Sequence, residues 1–196
     1  MIDAFSVSPW PGILFWAALF ISDMHFTVIC ARMYEAGVRE HLVFEGSYEL
    51  TPYHQPDIDA LRRFSPRFLF ALLAACVLLS CLWWLTVRDS FAPMVYETAL
   101  GALVLVQFTV HVRHIRNYFV FKAVLAGEGI AGRMEYARHT VLVHSAVELF
   151  AFAALYSILC ILTTSWFILG GPVACAIVGV KHRQLATQHA ARSAVA

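Results

Sequence analysis

FLFALLAACVLLSCLWWLTV (Phe68–Val87) runs for twenty residues without a charged side chain. An α-helix crosses the hydrocarbon core of a bilayer with about 20 apolar residues, within a range of about 17–25. This run therefore predicts a membrane span and sets the class of the whole chain. It is entered by Ser65-Pro66, a hydroxyl that can cap free amides followed by a ring suited to the first helical turn.

Four further stretches carry the same signal. Together the expected spans are 10–31, 67–87, 92–112, 139–162 and 163–180. The third can extend to 126, because Tyr118–Leu125 is too apolar for a free loop and Gly127 is the first residue to stop it. The last is the shortest and contains Gly170-Gly171-Pro172, a place for a bend. The expected fold class is an all-α polytopic membrane protein, a bundle of five transmembrane helices forming one domain over residues 1–196.

Composition agrees. The chain is 60% hydrophobic and 14% charged, against about 45–50% and 25% for a soluble domain, and its mean hydropathy is +0.69. Cys30, Cys76, Cys81, Cys160 and Cys175 lie in apolar runs without a CxxC pair, which reads as buried small hydrophobes rather than a disulfide framework. A net charge of +1 with no basic run excludes a nucleic-acid binder. The N-terminus lacks a basic n-region and carries Asp3, so no signal-peptide cleavage is expected.

Orientation follows from the arginines and lysines. Thirteen of the fourteen fall after spans one, three and five, and only Arg88 falls on the other side. Basic residues accumulate in cytoplasmic loops, so the N-terminus is expected outside and the C-terminal tail, 181–196, in the cytoplasm, in a bacterial inner membrane. Trp10, Trp83, Trp84 and Trp166 fall at the outer boundary, where an aromatic belt places them.

The first cytoplasmic loop, 32–66, is long. Gly37 is placed to end helix one in a left-handed cap. PYHQPD reads as extended, since proline disfavours helix in the residue before it. Asp57 then caps a short amphipathic helix over 57–64, with Ile58, Leu61 and Phe64 on one face. Tyr48, Tyr53, Glu45 and Glu49 make this loop a docking surface for a cytoplasmic partner.

Ionisable groups inside a bilayer cost about 2.5–3.5 kcal/mol on insertion scales and usually face the protein interior. Helix three carries Glu97, Gln107, His111 and His114 near one face, helix four carries Thr140, His144 and Glu148 at i, i+4, i+8, and helix one carries Ser22, Asp23, His25 and Thr27. Asp23 and His25 point about 200° apart. At 1.5 Å per residue, Asp23, His25, Gln107, His144 and Glu148 share a level in the cytoplasmic half, with His111 and His114 nearer the surface. The expectation is one polar cluster shared by helices one, three and four. Against it stand plainer readings: headgroup-level histidines, a local His144–Glu148 hydrogen bond, and Gln107 as an interhelical partner.

Three functions suit such a cluster. The leading one is conduction or translocation of protons or cations along Asp23, His25, Gln107, His111, His144 and Glu148, by a homo-oligomer in the lipid bilayer. The second is a haem or divalent-metal centre, an oxidoreductase or metalloenzyme, with His25, His111, His144 and Glu148 as ligands; no HExxH supports it. The third is a membrane subunit or scaffold without chemistry. A membrane enzyme of lipid metabolism is a further alternative, but no nucleophile–base spacing or phosphate-cradling glycine loop appears, so the reading leans away from an enzyme.

Overall fold

The computed structural model describes residues 7–62, 65–88, 91–128 and 132–193. Its long helices are α1 (Trp10–Met33), α4 (Pro66–Thr86), α5 (Pro93–Leu125), α6 (Arg138–Thr163) and α7 (Trp166–Ser193), with short α2 (Arg39–His41) and α3 (Gln55–Asp59) on the loop between α1 and α4. Four helical segments are long and apolar enough to cross a membrane: Trp10–His41, Pro66–Thr86, Pro93–Leu125 and Arg138–Thr163. This is an all-α chain built to cross a membrane several times.

α7 falls just outside that set. Its apolar part is Trp166–Val180, fifteen residues before Lys181, short of the usual 17–25. It nonetheless runs back along α6. Gly171 faces Tyr156, Gly179 faces Phe150, and His182 reaches Ser145. The turn between them is tight, with Thr164 at φ +51°, so the helix starts at Trp166 rather than at 163.

The cap expected at α4 is made by Ser65, whose hydroxyl accepts from the Phe68 amide at 3.1 Å. Only Leu79 and Thr86 of α4 are buried, so this helix lies at the margin of the bundle. One block of the core joins α1, α4 and α5 through Ile13, Trp16, Leu79, Val87, Tyr96, Leu100 and Val104. α5 and α7 cross with backbones almost touching, at Gly101 and Gly170. Small residues permit such an approach where lipid gives helices no hydrophobic drive to associate.

At the opposite end the loops form a cap. α1 passes Met33 into a π-helical turn, Tyr34–Val38, and Gly37 breaks it at φ +149°, ψ −17°. Gly37 thus ends this turn rather than α1 itself. β1 (Leu42–Phe44) pairs in parallel with β2 (Met134–Tyr136), Leu42 opposite Met134 and Phe44 opposite Tyr136. Beneath the ladder Tyr34, Leu42, Phe121 and Val124 are buried against Phe44, Tyr48, Tyr118 and Tyr136. The far end of α5 thus packs into the cap, and Gly127 turns the chain there at φ +75°.

The loop helix differs from expectation. It spans Gln55–Asp59, not 57–64, and PYHQPD is a turn followed by this helix rather than extended chain. Pro56 sits in the first helical turn, where its missing N–H costs nothing. Asp57 is inside the helix instead of capping it, and its carboxylate accepts from Ser65 Oγ at 2.5 Å and Arg62 at 3.1 Å. Leu61, at φ +50°, closes the piece. Phe64 lies outside the described residues.

Candidate functional site

α5 is the hub of the polar residues. Its positions 107, 111 and 114 follow a helical stripe that meets α1. His111 Nε2 lies 2.6 Å from Ser22 Oγ, and its Nδ1 lies 2.7 Å from the Gln107 carbonyl oxygen. A carbonyl only accepts, so Nδ1 carries a proton, while the single proton of the Ser22 hydroxyl is shared between His111 Nε2 and the Leu19 carbonyl, 2.9 Å away. One turn on, His114 Nε2 is 3.1 Å from Thr27 Oγ1 and 2.8 Å from Asp23 Oδ1. The Thr27 hydroxyl already donates to the Asp23 carbonyl at 3.0 Å, so His114 must donate from Nε2. The approach to Asp23 Oδ1 is off the hydrogen-bond direction, leaving that oxygen without an aligned donor.

The other side of α5 meets α6. Glu148 accepts from Arg113 Nε at 3.0 Å and also from Arg116 Nη1. The carboxylates of α1 and α6 therefore lie in one charged layer, yet each has its own partner on α5. Asp23 and Glu148 do not share a ligand between them.

Two expected members stand apart. His25 and His144 are exposed and bond to nothing among the described residues. Asp23 faces α5, so a residue about 200° around α1 faces away; Ser22 and Thr27 both reach α5, whereas His25 does not. His144 is not bonded to Glu148, because the carboxylate turns to the arginines. The proposed ligand set His25, His111, His144 and Glu148 is thereby dispersed, and no group of three or more His, Cys, Asp or Glu comes together among the described residues. His111 and His114, which a plainer reading put at headgroup level, are part-buried and buried.

Four buried polar atoms in this layer have no aligned hydrogen-bonding partner among the described residues: Asp23 Oδ1, Gln107 Oε1, His114 Nδ1 and Arg113 Nη2. Leaving such an atom unpaired costs about 1–3 kcal/mol, and native proteins concentrate the exceptions where water, ions or chemistry are handled. The polar stripe ends at Gln107. Beyond it α5 offers Leu100 and Val104 to the apolar block shared with α1 and α4, where Trp16 Nε1 also has no hydrogen-bonding partner among the described residues.

Sequence reasoning missed three participants. Arg113 and Arg116 entered only as loop charges, because their partner lies on α6 and nothing in the spacing links them. His182, two residues past the apolar part of α7, is buried and bonds to Ser145 Oγ at 2.7 Å. Its ring is pushed down from 6.5 to about 4, first by burial and then by Arg113, Lys181 and Arg138. A histidine kept neutral in the fold supports stability above its unfolded value, and that support is lost as pH falls toward the folded one. Melting in detergent is thus expected to drop between pH 6.5 and about 4. His182→Asn, neutral throughout, flattens that part of the profile; an unchanged slope contradicts the assignment.

Family models, curated proteins and solved structures contain no match to the chain.

Proposed function

We propose that this is a five-span membrane protein that takes protons from the cytoplasm into the bundle, with Asp23 and His114 as the proton-holding pair. The observation that carries the reading is the 2.8 Å approach of His114 Nε2 to Asp23 Oδ1, beside buried polar atoms without a hydrogen-bonding partner among the described residues. A carboxylate and an imidazole in contact can exchange a proton with little movement, and imidazole changes charge near neutral pH. His111 and Ser22, one turn deeper, extend the donors and acceptors toward Gln107.

A proton suits this site better than a metal cation. The carboxylates are partnered by imidazole and guanidinium, and ligands do not converge in threes among the described residues. The apolar block shared by α1, α4 and α5 marks where passage is closed in this conformation.

Five crossings, N-terminus outside, fit the ends of the helices. The β1–β2 ladder and the hydrogen bonds from Arg138 to the loop after β1 gather the basic segments at one end. α7 returns toward that end, as the His182–Ser145 contact supports. Thirteen of fourteen basic residues then face the cytoplasm.

The test is proton flux into liposomes under an imposed membrane potential, read with a trapped pH dye. Wild type is expected to exceed protein-free vesicles, and Asp23→Asn to lower the flux by about tenfold or more, as for loss of a positioned acid–base group. Flux equal to empty vesicles would instead favour a subunit without chemistry.

A further inference from the structure

On the cap side of the Asp23–His114 pair lies the aromatic layer of the cap, and Tyr48 is its member hydrogen-bonded to α5. Tyr48 follows β1 and wedges between α1 and α5. Its hydroxyl accepts from Asn117 Nδ2 at 3.3 Å, it packs against the buried cluster that holds Cys30, and its ring lies 6.0 Å from Tyr34 and 5.8 Å from Phe121. Asn117 is three residues beyond His114 and Cys30 three beyond Thr27. Tyr48 therefore occupies the next helical turn on both helices. Cys30 Sγ, 3.9 Å from the His114 carbonyl oxygen, ties the two levels together.

On its other side Tyr48 lines a pocket of about 710 Å³, together with Tyr34, Glu35, Glu40, Asp59 and Arg133. The tyrosine thus stands between this pocket and the His114 side of the acid–base pair, in which the His114 side chain is 10% and the Asp23 side chain 20% exposed. We propose that residues 45–50 are a lid and Tyr48 its gate, admitting water from the pocket to Cys30 and the His114 side of the pair when the loop lifts. The consequence for proton uptake rests on the reading above; the existence of the lid does not.

Arg138 holds the lid shut. It is buried, with 7% of its surface exposed, and spends its donors on this loop. Its amide donates to Glu45 Oε2 at 2.8 Å, Nη1 to the Ser47 carbonyl, and Nη2 to the Glu49 and Leu50 carbonyls at 2.8 and 3.5 Å. Gly46, at φ +82° and with open space where a Cβ would stand, gives the loop a hinge.

Cys30 reports the gate. It and Cys175 are both fully buried, but Cys175 lies among α5, α6 and α7, away from the lid. The full chain in lipid nanodiscs is treated with N-ethylmaleimide, and alkylation of each cysteine is followed by peptide mass spectrometry. In Tyr48→Ala and in Arg138→Gln, Cys30 is expected to react about tenfold faster or more, as for a local opening, while Cys175 keeps its wild-type rate. Unchanged Cys30 in Tyr48→Ala overturns the gate. Equal acceleration of both cysteines in both variants also overturns it, since the whole bundle has then loosened. Proton flux is not read here, so failure of the proton assignment leaves the result intact.

Discussion

Replacing Gly101 with alanine is expected to force α5 from α7 and to lower the melting temperature in detergent on the order of 10 °C. A Cβ at Gly101 would stand 1.8 Å from the Phe167 carbonyl oxygen, and one at Gly170 would stand 2.2 Å from both the Thr98 carbonyl and the Ala102 amide. These are backbone atoms and cannot rotate away, so the helices must separate. Overpacking typically costs about 1–3 kcal/mol, and rigid obstacles at this crossing place it at or above the top of that range. Gly170→Ala acts on the same gap, so the double variant should cost less than the sum of the two. Gly179 is the control. Its Cβ would meet Phe150 ring atoms at 3.0–3.3 Å, and a ring can shift, so Gly179→Ala should cost a small fraction of the effect. Similar losses at all three glycines would mean that the Gly101–Gly170 approach is not special.

The second large effect concerns the charge layer. Glu148→Leu leaves Arg113 without its partner in a side chain only 15% exposed. Removing one member of a buried pair costs about 3 kcal/mol or more, with some relief because Glu148 itself is 29% exposed. Arg113→Met added to Glu148→Leu should recover at least half of the lost stability, since apolar groups of similar volume can replace a buried pair at little cost. Arg116, 55% exposed, can turn to water. The measurement is melting of the single and double variants in detergent; additive losses would show that the two residues do not depend on each other.

Much of this fold is legible in hydropathy because lipid imposes one rule: backbone polar groups must be satisfied within the segment. Phe68–Val87 can do little else. The cap is less legible. β1 and β2 are three residues each and lie ninety residues apart in the chain, and their pairing depends on Arg138 and the aromatic layer rather than on any local pattern. Asp57 resembles a helix cap by position, yet its partners are Ser65 and Arg62, which only tertiary packing brings to it.

The site is legible by half. Periodicity puts Gln107, His111 and His114 on one stripe and sets Asp23 against His25. It does not say which face of α1 meets α5, and the direction of packing excludes His25 and His144. Nor does it find Arg113 or Arg116, because positive charge near a helix end has a simpler explanation in topology. Glu148 stands out as a carboxylate within an apolar run, but that does not name its partners, Arg113 and Arg116.

The pairing of Asp23 with His114 is tested most directly by a double-mutant cycle on proton flux in liposomes. If the pair holds one proton between them, Asp23→Asn, His114→Gln and the double variant should all lower flux to the same floor, because either change empties the same site. Full wild-type flux in Asp23→Asn, or losses that multiply in the double variant, would contradict the pair as the place where the proton is held.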